Sequence, residues 1–559
     1  MTRPERPEVD PQPGLRRVAL WRSFSGLGLM LGALFFAASL TPSLIPRSFP
    51  LQGVLGGVCL AAGYGLGVLT LWLWDYLGLP YMRRRMRRIA TWVSSAVAAV
   101  IVIWSLSQAA DWQNSIRLLM DMEPVDTAHP NKVGLIAALV AVVLILLGRL
   151  FFAVEHAIST RLGRHVPLRV SRLVGLTFAV LVFALLINGV LFRGFIRLAD
   201  ASAQQVDALI QPDIEPPTNP MKTGSMASLV TWRDLGRTGR DYVTDGPTAA
   251  EIAAFTGREA LEPIRVYVGL NAAEDAEDRA ELALAELIRV GAFKRSRLIV
   301  AVPTGTGWMD AAATDPLEYL HGGDVATVAV QYSYLSSWIS LLAEPGYGSE
   351  TGRALFRAVY GYWTSLPRDA RPELYLYGLS LGALSSEQSL RLHEMIADPV
   401  QGALWAGPPF PSPTWRSTTD ERVPGSPAWL PIYEDGSFIR FTNQQNHLDL
   451  NDAPWGPIRI VYLQYASDPI VFFEPRSIFR PPAWLSDPRG PDVSPELRWV
   501  PVVTFFQLLL DMAIGLVVPI GHGHLYAPAH YIDAWEAVTA PEGWTPAEID
   551  RLKARFAPT

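Results

Sequence analysis

A serine, an aspartate and a histidine, in that order and each after an apolar β-prone run, could do chemistry together in this chain. Ser380 lies in Gly378-Leu379-Ser380-Leu381-Gly382, behind Leu374–Tyr377 and ahead of a helix-compatible stretch from Ala383 towards Ile396. Glycine two positions either side of a serine, on a strand-to-helix turn, is the sequence form of a nucleophile elbow. Such a turn strains the serine backbone, and side chains at the flanking glycines would collide with strand and helix. Its hydroxyl then stands at a helix N-terminus, where negative charge is favoured. The pentapeptide alone is a weak signal, so its weight depends on an acid, a base and an oxyanion hole elsewhere.

Asp468 follows the run Ile458–Tyr465, in Ala466-Ser467-Asp468-Pro469. An aspartate before proline is also an ordinary turn residue; its place behind a strand favours the acid. Asp449 and Asp452 are rival acids, but they precede that strand. The base comes from Gly521-His522-Gly523-His524, after Leu516–Ile520. His524 fits the ending of the motif and His522 is the alternative base. A metal pair would need a third ligand at suitable spacing, and His530 lies in the following helix, so neither a metal nor a cofactor is expected. The oxyanion donors expected are the N–H of Leu381 and one from Thr304 or Gly305, in the glycine-rich turn Pro303–Trp308 behind Leu298–Val302. His321-Gly322-Gly323 precedes a strand and reads as a turn.

These residues need a scaffold. Ile264–Gly269, Leu298–Val302, Val325–Gln331, Leu374–Tyr377, Ala403–Ala406, Ile458–Tyr465 and Leu516–Ile520 read as strands, with helices between several of them, such as Ala276–Val290 and Gly352–Ser365. Strands alternating with helices predict a mainly parallel sheet with helices on both faces, active at its C-terminal strand ends. The order Ser, Asp, His is that of an α/β-hydrolase. Residues 410–456, rich in Pro, Trp and Tyr, read as a cap insertion whose aromatic lining suits an acyl chain. Trp499–Pro519 is apolar enough for a membrane span, but Pro501, Asp511 and Gly515 divide it into a buried or interfacial helix and a final strand.

The other third of the chain is membrane-like. Half of the 559 residues are hydrophobic, and the mean hydropathy is +0.19. Five runs, Phe24–Leu44, Leu51–Trp74, Ala90–Leu106, Val133–Val154 and Leu173–Phe192, are each long enough to cross a bilayer. Arginines crowd the N-terminus (Arg3, Arg6, Arg16, Arg17), the second loop (Arg83, Arg84, Arg85, Arg87, Arg88) and the fourth (Arg161, Arg164, Arg169, Arg172), while the third loop is acidic. That alternation predicts a cytoplasmic N-terminus and, after five crossings, an extracytoplasmic C-terminal domain at the cell membrane. Gly28 and Gly32, Gly53 and Gly57, and Gly63 and Gly67 have the spacing of close helix packing. The expected organisation is a disordered basic tail (1–22), the five-span bundle (23–193), a juxtamembrane helix and Pro-rich connector (194–260) and the hydrolase domain (261–559). The net charge of −6 supplies no field for nucleic acid. A single cysteine, Cys59, excludes disulfides and leaves no cysteine nucleophile outside an apolar run.

Pro42-Ser43-Leu44-Ile45-Pro46-Arg47, Thr304-Gly305-Thr306-Gly307-Trp308, Gly378-Leu379-Ser380-Leu381-Gly382 and Gly521-His522-Gly523-His524-Leu525-Tyr526 together resemble a bacterial family of membrane-anchored α/β-hydrolases with an N-terminal multi-span domain. The resemblance runs from about Phe24 to Trp535 and implies the fold and a serine hydrolase. Partners expected are the lipid bilayer and a lipid or cell-envelope ester. An acyltransferase using the same triad, or a non-catalytic receptor or scaffold on a hydrolase fold, is the alternative.

Overall fold

The computed structural model describes residues 25–80, 83–335, 337–343, 345–390, 395–450, 453–486 and 488–557. The basic tail, the start of the first apolar run at Phe24 and the rival acid Asp452 lie outside them.

Strands β1 (Ile264–Val268), β2 (Arg297–Val302), β3 (Val325–Val330), β4 (Glu373–Leu379), β5 (Gly402–Ala406), β6 (Ile439–Thr442) and β7 (Arg459–Leu463) form one sheet. Its order is β1-β3-β2-β4-β5-β7-β6, and every neighbouring pair is parallel. Parallel strands need covered faces, which is why β1, β3 and β5 are buried at every position. Along β4 the side chains alternate between faces. The Tyr377 ring lies 5.8 Å from that of Trp535 in the helix Pro528–Thr539, so its neighbour Leu376 faces the other side. The helices Ala276–Arg289, Pro345–Ser365 and Leu381–Ser389 pack in one group, and Ala311–Leu320 packs with Pro528–Thr539 in another. β4 is fourth of seven, so the residue behind it stands at the middle of the sheet's C-terminal edge.

Two expectations are corrected here. Leu516–Ile520 is not a strand but an irregular loop whose Leu516 and Val517 are 61% and 69% exposed. It carries Pro519, which has no N–H to donate to a ladder. The seventh strand is instead β6, inside the segment 410–456 read as a cap, at the sheet edge beside β7. That segment also holds the short helix Pro413–Asp420. β6 is short and contains Arg440, hence illegible as a strand. The buried guanidinium is accommodated because it donates to the carbonyls of Gly436, Leu448 and Ala453 and lies 4.1 Å over the Trp455 ring. Within Trp499–Pro519 the helix is Val503–Ala513, eleven residues. At ~1.5 Å per residue it is about half of what a bilayer core requires, and its Thr504, Gln507 and Asp511 are buried.

The chain divides into two compact units. One holds residues 1–40, 49–108 and 129–191, with helices α1 (Gly26–Leu40), α2 (Phe49–Tyr76), most of α3 (Arg84–Arg117), α4 (Pro130–Leu162) and α5 (Leu168–Ala184). Three stretches, Phe49–Trp74, Arg85–Met120 and Pro130–Leu162, are long and apolar enough to cross a membrane; Gly26–Leu40 and Leu173–Ala184 are shorter apolar helices. The first run therefore stops being helical at Leu40, not Leu44, and the fifth passes into a π-helical stretch, Leu185–Phe192. The glycine pairs mark close backbone approach. A Cβ on Gly63 would lie 2.5 Å from the carbonyl oxygen of Leu31, one on Gly67 2.6 Å from Gly28 Cα, and one on Gly57 2.7 Å from the carbonyl oxygen of Ala137. The second unit holds 192–559 together with Thr41–Ser48 and Ala109–Ala128.

Candidate active site

β4 ends at Leu379 and the helix Leu381–Ser389 begins two residues later, leaving Ser380 alone to make the turn. It does so at φ 59°, ψ −130°, a conformation that typically costs a non-glycine residue ~1–3 kcal/mol. The glycines around it are required by contact. A Cβ on Gly378 would stand 2.4 Å from the carbonyl oxygen of Gly382, and one on Gly382 would stand 2.2 Å from that of Val302. The Ser380 N–H donates to the carbonyl of Ala406 at 2.9 Å, which ties the turn to the end of β5. The hydroxyl is buried, and Oγ has no protein hydrogen-bond partner.

Asp468 comes just after β7 and is wholly buried. Its Oδ1 accepts the amide of Ile470 at 2.8 Å. Its Oδ2 lies 2.6 Å from His524 Nδ1 and accepts the Tyr526 hydroxyl, also at 2.6 Å. With Nδ1 donating to this carboxylate oxygen, the imidazole carries Nε2 bare, the tautomer a general base needs. His524 Nε2 is buried and without a protein partner, as is Ser380 Oγ; no hydrogen bond joins the two. Both are held at Ala406–Gly407. A Cβ on Gly407, whose φ is 52°, would lie 2.5 Å from His524 Cε1, one residue from the carbonyl that accepts from Ser380. Catalytic bonds of this kind often tighten only when substrate is bound.

The alternative base, His522, takes a different carboxylate. Its Nδ1 is 3.5 Å from Asp492 Oδ2. Asp492 also accepts from Ser467 Oγ (2.5 Å) and Gln444 Nε2 (2.6 Å), and Ser467 Oγ accepts the N–H of Gly523 at 2.8 Å. This network fastens the loop between the two histidines. His530 is engaged by another group, with Nδ1 2.6 Å from the Tyr465 hydroxyl, and burial lowers its pKa to about 4. Asp449 is exposed in the loop after β6. Among the described residues no three His, Cys, Asp or Glu side chains are grouped to hold a metal ion. His321 bonds Thr539 at the start of β3, the end of the sheet away from Ser380.

Two of the expected oxyanion donors have partners of their own. The Thr304 N–H is bonded to the carbonyl of Trp308 (3.1 Å), closing its own turn, and that of Gly305 donates to Ser337 Oγ (3.1 Å). Leu381 N–H is in the first turn of its helix, where amides lack intrahelical acceptors. Beside it Val302, Tyr332, Leu341, Leu381 and Leu384 form an apolar cluster against which Phe410 packs. Tyr526, Asp492, Ser467 and Gly407 were not expected as site residues. Tyr526 and Ser467 stood inside quoted motifs; Asp492 and Gly407 left no sequence signal.

Burial also pushes the carboxyl of Asp310, behind β2, up to about 7, opposed by the amide of Ala312 and by nearby His524.

A parallel sheet with a strained serine at its central strand end, a buried aspartate behind another strand and a histidine bonded to that aspartate define the α/β-hydrolase class. The chain belongs to the α/β-hydrolase family: the family's model matches residues 264–552, and the model of the family's N-terminus matches residues 40–247. No match was found among curated proteins or among solved structures.

Proposed function

We propose that the protein is a membrane-anchored serine hydrolase acting on acyl esters of lipid or cell-envelope molecules. The observation that carries this reading is the bond from His524 Nδ1 to buried Asp468, with the opposite ring nitrogen and the strained Ser380 hydroxyl both lacking other partners. Ser380 Oγ attacks the acyl carbonyl while His524 Nε2 takes its proton, and Asp468 stabilises the imidazolium. The oxyanion of the tetrahedral intermediate faces Leu381 N–H. Gly305 is the better second donor, because rotation of the Ser337 side chain about Cα–Cβ releases its N–H, whereas the Thr304 bond closes the turn. Collapse expels the alcohol, which receives the proton from His524, and water repeats the sequence on the acyl-enzyme. The apolar cluster beside Leu381 suits an acyl chain. Long apolar helices in the same chain and the alternating loop charges favour an extracytoplasmic domain at a bilayer.

A fluorophosphonate probe tests the nucleophile. Wild type is expected to label and Ser380→Ala to remain unlabelled; equal labelling of both would sink the assignment. Comparing lipids of cells carrying the two forms then identifies the ester.

A further inference from the structure

The motif Pro42–Arg47 connects α1 to α2, yet it packs as part of the hydrolase unit. Leu44 and Ile45 are completely buried. Two polar side chains of the helix Val503–Ala513 hold the motif. Asp511 Oδ2 accepts the N–H of Leu44 at 3.0 Å, Gln507 Nε2 donates to the carbonyl of Thr41 at 3.1 Å, and Asp511 Oδ1 lies 3.9 Å from Arg47 Nε. Arg47 N–H in turn donates to Gln113 Oε1 at 2.7 Å. This same helix leads into the histidine loop, where His524 N–H donates to the carbonyl of Gly515 at 2.9 Å. The tip of Ile45 reaches that loop: a Cβ on Gly523, between the two histidines, would lie 3.0 Å from Ile45 Cδ1.

We infer that Thr41–Arg47 is a positioning element of the catalytic base, with Ile45 the wedge beneath Gly523 and Asp511 and Gln507 its anchors. This rests on His524 being the base. The Gly523 N–H is held by Ser467 Oγ, and the space at its Cα is closed by Gly515, Val518 and Ile45, so a shift of the loop there would carry His524 away from Asp468. Core packing admits few intermediate arrangements, so removing the wedge lets the loop sample others.

The test uses the full-length chain. Ile45→Ala is expected to lower the fluorophosphonate labelling rate of Ser380 at least tenfold. Amide exchange of residues 515–526 should rise, that of β1 should not, and Ile45→Leu, which keeps a δ-methyl, should retain most of the rate. Gln507→Ala, which loosens the segment without creating a cavity under Gly523, should act in the same direction. Leu552→Ala, a cavity in the last helix, serves as a control for lost stability and should change neither readout. Unaltered exchange at 515–526 in Ile45→Ala and Gln507→Ala would overturn the inference. If wild type itself does not label while exchange still rises, the coupling stands and the nucleophile assignment is what fails.

Discussion

At 2.6 Å from a buried carboxylate, the His524 imidazole is confined to one tautomer, whereas His522 sits 3.5 Å from Asp492 with part of its ring in solvent. The sequence offered both as the base, and only the distances separate them. His524→Gln is expected to reduce fluorophosphonate labelling by on the order of 10³-fold or more. His522→Gln should cost no more than about tenfold, because it perturbs the loop without removing the base. Rate constants for both variants decide between them, and the reverse ranking would make His522 the base. Asp310 has a separate signature. Its folded pKa of about 7 exceeds the unfolded value, which is ~3.9. Between those limits the folded state holds a proton that the unfolded chain has lost, so this group's contribution to stability falls as pH rises from about 4 to about 7. Asp310→Asn keeps an acceptor for the Ala312 amide and cannot ionise. It should raise the melting temperature more at pH 8 than at pH 5, and equal shifts would contradict the assignment.

At the scale of elements, the elbow was readable because strand, glycine, serine, glycine and helix follow one another within a dozen residues, and each demand is local. The same holds for β1 to β5 and β7, whose apolar runs appear wherever both faces of a sheet are covered. β6 escaped because Arg440 is solvated by carbonyls of a loop that the local pattern does not contain. Arg265 in β1 is a comparable case. It is paired with Glu318 at 2.7 Å and Asp315 at 2.6 Å, and lies 4.7 Å over the Tyr242 ring. Removing one partner of a buried pair strands the other charge, at a cost of ~3–5 kcal/mol. Glu318→Ala leaves Arg265 with Asp315 as its remaining carboxylate and should therefore lower stability by no more than about 3 kcal/mol in a denaturant titration, while Glu318→Gln, which keeps one acceptor, loses less. The final helix of the hydropathy-rich run shows the opposite limit. Its apolar face resembled a span, and its length and buried Gln507 and Asp511 make it a packing element.

On the scale of the molecule, the loop charges lead to a direct test of topology. Alkaline phosphatase fused behind residue 559 is expected to be active in cells and a green fluorescent protein at the same place dark. The opposite pair of results would put the hydrolase domain in the cytoplasm and change the number of crossings. By itself the sequence determined the apolar helices with their glycine spacing, the parallel α/β alternation, and the candidates Ser380 and Asp468 with two histidines, His522 and His524, to choose between. Each is written in a local pattern of hydropathy, turn chemistry or strand-end position. Tertiary structure decided that His524 rather than His522 meets Asp468, that Thr304 and Gly305 spend their N–H groups within their own surroundings, and that Ile45 lies beneath the histidine loop. Those outcomes depend on side chains brought together across tens to hundreds of residues, where packing and hydrogen-bond satisfaction choose the partner and no periodicity along the chain records the choice.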